Sequence, residues 1–372
     1  MLMWYIIFVI LIVSAAACLL YLSSRVAKFN FAAKIAPFKS KRRLLMGFVI
    51  TALCFGGLTL CLNLMNAVVC LIYFAGFWFI SDTLFYLIGR IGKHTFNRYY
   101  AGYAAILLSL LTLLSGWYLD HHVWQTNYTI TTAKQIPAFK IAHFADSHIG
   151  TTFNSDGFAK HLQAIQQQNP DMVLITGDFV DDGTSRAEMI AACQALGNLK
   201  TPYGVYFAFG NHDKGFHNPA IRGFTGADLI NELTKNGVRV LQDETVILNS
   251  AVYIVGRNDL SELQRGGSRL SMQKLTQGLD KSKFIIVMDH QPADYNNQAQ
   301  SGADLVLSGH THGGQLWPLN KVGEWIGAND RTYGYERRLL TDFIVTSGLS
   351  DWSIKFKTGT KSEFVIINLK SE

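Results

Sequence analysis

Three long stretches without a charged side chain constrain this chain more than any other feature. They cover residues 1–24, 44–81 and 99–119 of the 372 residues. A helix needs roughly 20 predominantly apolar residues to cross a bilayer, and uncharged runs of this length are rare in soluble proteins. The middle stretch is long enough for two helices with a turn near residues 63–66. The sequence therefore predicts four transmembrane helices within residues 1–119.

Basic residues in the short loops predict which way the spans run. Seven lysines and arginines lie between residues 25 and 43, three lie between residues 90 and 98, and none lies in the loop between the second and third spans. Because basic loops stay in the cytoplasm, we expect a multi-pass protein of the cell membrane with everything after residue 119 on the extracytoplasmic side. The inverted topology is the alternative.

The net charge of +6 follows the same division of the chain. Residues 1–119 hold ten lysines and arginines and one acidic residue, Asp82, whereas residues 120–372 hold 23 basic and 26 acidic residues. The excess of positive charge therefore reflects membrane topology, and no nucleic-acid partner is expected. The predicted organisation is a membrane domain at 1–119, a polar linker at 120–137 and a second domain at 138–372.

Strand-like and helix-like segments alternate beyond the linker, which predicts an α/β fold with sheets covered by helices. Five short apolar runs read as buried strands; they lie at 139–145, 172–176, 205–209, 284–288 and 305–307. Each run is followed directly by polar, chemically active side chains. Because ligands bind at the carboxyl ends of strands in such sheets, we expect these side chains to meet at one edge.

The polar side chains form five short motifs. In chain order these are Asp146-Ser147-His148, Gly177-Asp178 followed by Asp181, Gly210-Asn211-His212-Asp213, Asp289-His290, and Gly309-His310-Thr311-His312. Carboxylates, imidazoles and an amide are hard or borderline ligands, and no cysteine is among them, which favours Mn, Zn or Fe over a thiolate site. Seven of these side chains are the candidate ligands: Asp146, His148, Asp178, Asn211, His290, His310 and His312. Seven donors are too many for one tetrahedral ion, but they suffice for two ions if one carboxylate bridges them.

In this order, and each after a strand, the five motifs resemble those of the calcineurin-like metallophosphoesterases, in particular the bacterial membrane-associated branch. The resemblance covers residues from 138 to 370. It implies a four-layer αββα sandwich, in which two packed sheets lie between outer helices. Together with the predicted spans, this gives an α/β metallophosphoesterase domain preceded by four transmembrane α-helices.

The resemblance also implies roles for individual residues. One divalent ion would bind Asp146, His148, Asp178 and His312, and a second would bind Asp178, Asn211, His290 and His310, so that Asp178 bridges the two. His212 would stand beside the leaving group of the substrate and donate a proton or stabilise charge. Asp213 is expected to orient His212, and Asp181 to support a metal ligand, although each is equally consistent with an ordinary surface or capping carboxylate.

These expectations describe a membrane-anchored hydrolase of phosphomonoesters, phosphodiesters or pyrophosphates, whose partners are the lipid bilayer and a phosphoester substrate. A lipid-linked or envelope substrate is the first hypothesis, because the short linker keeps the site near the bilayer. Two alternatives stay open, a tethered phosphatase of soluble substrates and a non-enzymatic membrane sensor or scaffold. An aromatic and basic segment at 316–335 has three possible interpretations: a substrate lid, a membrane contact or ordinary loop packing.

Overall fold

The computed structural model describes residues 2–35, 41–216 and 219–372. The chain forms two compact units, Met1–Gly116 and Trp117–Glu372. The described part of the first unit is helical, and the second unit contains two sheets with helices around them.

Apolar helices make up the first unit. They are α1 (Leu2–Val26), α2 (Asn30–Ile35), α3 (Lys41–Leu62), α4 (Leu64–Ile91) and α5 (Tyr100–His121), which runs on into the second unit. Among the described residues, α3, α4 and α5 are long and apolar enough to cross a membrane. In α1 the described apolar part covers Ile12–Val26, so the first of the four predicted spans remains a prediction.

Two polar residues within the first unit, Asp82 and Asn63, have clear structural roles. Asp82 in α4 lies 2.9 Å from Arg25 Nη1 and 3.3 Å from Lys28 Nζ. These contacts offset the high cost of a carboxylate in an apolar helix. The turn predicted near residues 63–66 is confirmed, because Asn63 separates α3 from α4 and its side chain accepts a hydrogen bond of 3.0 Å from Asn66 N.

Two six-stranded sheets form the centre of the second unit. The strands are β1 (Trp124–Thr132), β2 (Phe139–Phe144), β3 (Met172–Thr176), β4 (Val205–Ala208), β5 (Val238–Leu241), β6 (Glu244–Leu248), β7 (Val252–Gly256), β8 (Phe284–Met288), β9 (Leu305–Ser308), β10 (Gly334–Arg338), β11 (Thr341–Val345) and β12 (Glu363–Ser371). The order is β1-β12-β2-β3-β4-β5 in one sheet and β10-β11-β9-β8-β7-β6 in the other. The five apolar runs predicted as strands are confirmed as β2, β3, β4, β8 and β9.

The helices of the second unit are α6 (Ser155–Gln166), α7 (Arg186–Gly197), α8 (Pro219–Arg222), α9 (Gly226–Lys235), α10 (Ser261–Gln264), α11 (Met272–Thr276), α12 (Tyr295–Gln300) and α13 (Val322–Trp325). The outer face of one sheet is covered by α6, α7 and α9, and that of the other by α11 and α12. Successive residues of a strand point to opposite faces. Val173 and Ile175 of β3 accordingly pack with buried residues of α6, α7 and α9, whereas Leu174 packs between the sheets. Val287 on the far face of β8 packs with residues of α11 and α12. The predicted αββα sandwich is therefore confirmed.

Half of the stretch 120–137 is strand β1, so the prediction of a polar linker there is wrong. β1 pairs in parallel with β12 from Trp124 to Thr132. Its side chains alternate between exposed and half-buried, and Ile130 is the one buried residue of the strand, which explains the weak apolar signal. The last turn of α5 is also fixed to this sheet, because Ser362 donates hydrogen bonds from N to Leu119 O (2.9 Å) and from Oγ to Asp120 O (2.7 Å).

Leu174 provides a test of the packing between the sheets, where it is fully buried. We expect Leu174→Ala to lower the free energy of unfolding of the second unit by about 2–5 kcal/mol, because the change leaves a cavity in a packed core. Ile247→Ala on β6 is the matched control: Ile247 is 46% exposed, and its loss should cost less than about 1 kcal/mol. Urea unfolding of the detergent-solubilised protein measures both losses. Equal losses would contradict the packing described.

Candidate metal centre

The five predicted motifs meet at one edge of the second unit, in the loops that follow β2, β3, β4, β8 and β9. The seven predicted metal ligands all lie in these loops. Six of them are buried and His310 is partly buried. Burying so many ionisable groups is unfavourable unless each finds a partner of opposite charge or a metal ion. The burial alone therefore marks this edge as a candidate cation site.

The backbone at this edge adopts a conformation that side chains disfavour. Asp146, His148, Asp178, His310 and His312 all have positive φ angles, between 38° and 71°. Each such residue costs roughly 1–3 kcal/mol, and residues of this kind cluster at functional sites. Five predicted ligands share the strain, which indicates that the loops are shaped for binding and not for folding alone.

Glycines allow these loops to approach one another closely. A Cβ atom on Gly177 would lie 2.2 Å from Gly210 N, and one on Gly309 would lie 2.4 Å from Asp146 Oδ2. Both distances are far below van der Waals contact, so no side chain fits at either position. The glycines of the motifs therefore bring the ligand-bearing loops together.

A first group of ligand atoms comes from Asp146, His148 and His312, whose atoms lie within 4.8 Å of one another. His312 Nε2 lies 3.8 Å from Asp146 Oδ1, and His148 Nε2 lies 3.7 Å from Asp178 Oδ2. The buried His148 Nε2 has no hydrogen-bond partner in the described part of the chain. A buried imidazole nitrogen beside two carboxylates suits a divalent cation.

A second group comes from Asp178, His290 and His310, again within 4.8 Å of one another. Asn211 joins it, because its Oδ1 lies 3.1 Å from His290 Nε2 and 2.8 Å from His310 Nδ1. Asp178 Oδ2 lies 3.1 Å from His290 Nε2 and 3.7 Å from His148 Nε2 of the first group. One carboxylate oxygen therefore faces both groups.

Three of the imidazoles have an oxygen atom behind them, near the nitrogen that faces away from the ligand atoms. The distances are 2.7 Å from His290 Nδ1 to Thr176 O, 2.9 Å from His312 Nδ1 to Asp351 Oδ1, and 3.4 Å from His148 Nδ1 to Asp181 Oδ2. A partner of this kind fixes the orientation of the ring and leaves Nε2 facing the metal position. Asp181 thus lies behind a predicted ligand.

Asp178 and His290 each stabilise the charged form of the other. Burial opposes the charge of Asp178, but the charge of His290 and its hydrogen bond hold the pKa of Asp178 well below its usual range. Burial likewise opposes the charge of His290, whereas Asp178 raises the pKa of His290 well above its usual value. The two shifts therefore keep Asp178 ionised, as a metal-ligating carboxylate must be, with the positive charge of His290 as its partner.

His212 lies between the ligand groups and the solvent. Its backbone N donates a hydrogen bond of 2.8 Å to Asp178 Oδ1, and its ring centroid lies 5.0 Å from that of His148. On the other side, the rings of Phe216 and Trp352 lie 5.0 Å and 5.4 Å away, and both are well exposed. Burial lowers the pKa of His212 to about 4. His212 is thus the imidazole at the mouth of the site.

Comparison with known proteins decides the family. The model of the calcineurin-like phosphoesterase family matches residues 139–314. An uncharacterised metallophosphoesterase of Aquifex aeolicus is 31% identical over 221 residues, which cover 58% of this chain and 78% of that protein. This chain belongs to the calcineurin-like phosphoesterases. The resemblance of the five motifs to that family is therefore confirmed.

Two other relatives of this calcineurin-like phosphoesterase are longer than the matched region. An uncharacterised metallophosphoesterase of Campylobacter jejuni is 31% identical over 239 residues, covering 63% of this chain and 59% of that protein. A Danio rerio protein described as a transmembrane protein with a metallophosphoesterase domain is 29% identical over 245 residues, covering 64% of this chain and 54% of that protein. The chain thus spans less than two thirds of the length of these two relatives.

The contacts of Asp213 in this calcineurin-like phosphoesterase favour the second of the two roles expected for it, that of a capping carboxylate. The carboxylate of Asp213 is fully buried, and among the described hydrogen bonds none joins it to His212. It accepts bonds from four backbone N–H groups, those of Asp178 (2.9 Å), Phe179 (2.8 Å), Val180 (3.2 Å) and Gly210 (2.7 Å). These bonds hold the loop that carries Asp178, so the geometry favours a structural role.

Asp351 and Lys357 form a buried pair that the sequence analysis missed. Both are fully buried, and Asp351 Oδ1 lies 3.3 Å from Lys357 Nζ. Burial raises the pKa of Asp351 to about 6 despite the neighbouring charge of Lys357. The pair lies directly behind His312. The available signal was a polar loop after β11, which is the same pattern that marked the other five loops.

Asp213→Asn distinguishes a structural role from a catalytic one. The amide turns an NH₂ group towards backbone donors, so we expect the free energy of unfolding to fall by at least about 2 kcal/mol and the metal content after dialysis to fall with it. Asp156→Asn, at an exposed position of α6, is the matched control. Urea unfolding and elemental analysis measure the two effects. Unchanged stability and metal content with lost turnover would show that Asp213 acts on His212 instead.

Proposed function

We propose that this protein is a membrane-anchored phosphoesterase that uses two divalent metal ions to hydrolyse phosphomonoester, phosphodiester or pyrophosphate bonds. The observation that carries the proposal is the convergence of seven oxygen and nitrogen donors in two groups, with Asp178 facing both. Membership of the calcineurin-like phosphoesterases supports it. A non-enzymatic scaffold is disfavoured, because every ligand position of the five motifs is present.

The donors present fit a pair of ions. Asp146, His148, Asp178 and His312 would hold one ion, and Asp178, Asn211, His290 and His310 would hold the other. Carboxylate, imidazole and amide donors suit Mn, Zn or Fe. When bound, such a pair activates a water molecule and stabilises the charge that develops during in-line displacement at phosphorus.

The chain's own residues would orient the substrate around the ions. The ring of His212 lies beside the ligand groups, where the neutral imidazole favoured by its lowered pKa would donate a hydrogen bond to the leaving oxygen and stabilise its charge. The hydrogen bond from His212 N to Asp178 Oδ1 ties this ring to the ligand loop. Phe216 and Trp352 flank His212 and would pack against an apolar part of the substrate.

The membrane helices favour a substrate held at the membrane. α3, α4 and α5 are long and apolar enough to span a bilayer, and the Danio rerio relative is described as a transmembrane protein. The basic loops at 25–43 and 90–98 favour an extracytoplasmic second unit. A lipid-linked or envelope phosphoester is therefore the substrate class that we propose, with no role for nucleic acid.

Metal removal and His212→Ala test the proposed chemistry together. We expect EDTA to abolish hydrolysis of bis(p-nitrophenyl) phosphate by the purified protein, and Mn²⁺ to restore it. His212→Ala should lower kcat by about 10²–10⁴-fold and leave the metal content unchanged, because the ring belongs to neither ligand group. His161→Ala is the matched control, since His161 packs against Phe153 and lies outside the motifs.

Three results would count against parts of this proposal. Full activity after complete metal removal would exclude the metal mechanism. Unchanged turnover in His212→Ala would remove the role of that imidazole. Equal turnover of soluble diesters and of phosphodiesters presented in vesicles would favour a tethered phosphatase of soluble substrates.

A further inference from the structure

Exposed apolar side chains gather in the loop that follows the last metal-ligand motif. Trp317, Leu319, Trp325 and Ile326 are 53%, 63%, 70% and 72% exposed. Single exposed apolar residues are common on proteins, but several large ones within one short loop mark a surface for a partner or a membrane. These four side chains are called the apolar loop surface below.

Hydrogen bonds fasten this loop to the segment just before β12. Thr358 N and Gly359 N donate to Gln315 O at 2.8 Å and 3.0 Å, and Trp317 N donates to Thr358 Oγ1 at 3.0 Å. Gly313 lies against the same segment, because a Cβ atom there would lie 2.5 Å from Thr360 Cγ2. The apolar loop surface therefore begins beside residues 358–360.

The same segment is joined to the end of α5. Ser362 N donates to Leu119 O at 2.9 Å, Ser362 Oγ donates to Asp120 O at 2.7 Å, and Trp124 N donates to Ser362 O at 2.9 Å. α5 is one of the helices that are apolar enough to cross a membrane. Because α5 ends at His121 and β1 begins at Trp124, only two residues connect the helix to the strand.

Strand register puts the end of α5 at the same edge as the metal ligands. β1 begins with Trp124 opposite Glu363, the first residue of β12. β12 runs antiparallel to β2, with Val365 opposite His143, so β12 begins at the carboxyl end of β2. That end leads into the loop of Asp146. The end of α5 therefore lies on the side of the second unit that carries the metal ligands.

From these contacts we infer that the apolar loop surface docks on the lipid bilayer and that the mouth of the metal site opens at the membrane surface. Tryptophan prefers the headgroup region of a bilayer, and leucine and isoleucine insert below it. Lys321 and Lys361, in and beside the loop, would face anionic headgroups. The bilayer is the occupant that we infer because α5 is apolar enough to cross it and because the last residues of α5 bond to Ser362 beside this loop.

This inference rests on the membrane anchoring proposed above, but it is independent of hydrolysis. It selects the membrane contact from the three interpretations of segment 316–335. It also deepens the proposed function, because a phosphoester on a lipid would meet Phe216 and Trp352 without leaving the membrane surface.

Photocrosslinking to lipid tests the docking directly. The full chain is reconstituted in vesicles of phosphatidylcholine and phosphatidylglycerol that contain a phospholipid with a diazirine near its headgroup, and adducts are mapped by mass spectrometry. We expect adducts on residues 316–326. Leu339 and Leu340 are the internal control: they are 73% and 81% exposed, but they precede β11, which runs parallel to β9, and so lie at the opposite sheet edge. No adduct above background is expected there.

The double substitution of Trp317→Ser with Trp325→Ser adds a functional measurement. We expect it to abolish the adducts on 316–326 and to reduce turnover of a vesicle-borne phosphodiester several-fold. Hydrolysis of soluble bis(p-nitrophenyl) phosphate should stay unchanged, because neither tryptophan belongs to the ligand groups, and this also reports correct folding. Leu339→Ser with Leu340→Ser is the matched control.

Several outcomes would overturn the docking. Equal adducts on both segments, or none on 316–326, would exclude a specific bilayer contact there. If a bifunctional protein crosslinker instead joined 316–326 to another molecule of the chain, a second copy would replace the bilayer as the occupant. Failure of the unsubstituted protein to hydrolyse the soluble diester would instead count against the proposed function, and would leave the adduct map to decide the docking.

Discussion

A carboxylate as deeply buried as that of Asp178 needs positive charge close to it, because an unpaired buried anion costs several kcal/mol. Asp178 Oδ2 faces His290 on one side and His148 on the other, while Asp178 Oδ1 accepts from His212 N. The surrounding loops hold Asp178 in this position. Asp213 holds the Asp178 loop through four backbone N–H groups, and glycines let the neighbouring loops close around it. The positive φ angles of five ligand candidates show the conformational cost that this packing offsets.

The carboxyl ends of the central strands and the end of α5 lie at the same edge of the second unit. Parallel strands on either side of the interface between the sheets aim their carboxyl ends at a single edge, and this edge collects all five motifs. The last turn of α5 reaches the same edge through Ser362. The end of α5 thus joins the sheet directly, without a flexible linker.

The sequence predicted the structure best where both the type of side chain and its position in the chain were informative. Short apolar runs followed by carboxylates, imidazoles and glycines predicted β2, β3, β4, β8 and β9 and the loops after them, because buried strands and buried ligands both leave strong signals. β1 was missed because an edge strand with alternating exposed residues has the composition of a linker. The contacts of Asp213 were not predicted, because adjacency to His212 does not reveal where a carboxylate points. Asp351 was missed because its contact with His312 spans 39 residues of sequence, and the polar loop after β11 was the only local signal for it.

Two ions that share Asp178 would be seen most directly by anomalous X-ray diffraction from manganese-loaded crystals. We predict two anomalous peaks about 3.5–4 Å apart, one beside Asp146, His148 and His312 and the other beside Asn211, His290 and His310, with the carboxylate of Asp178 in contact with both. A single peak, or two peaks of which one does not touch Asp178, would contradict a shared dinuclear centre.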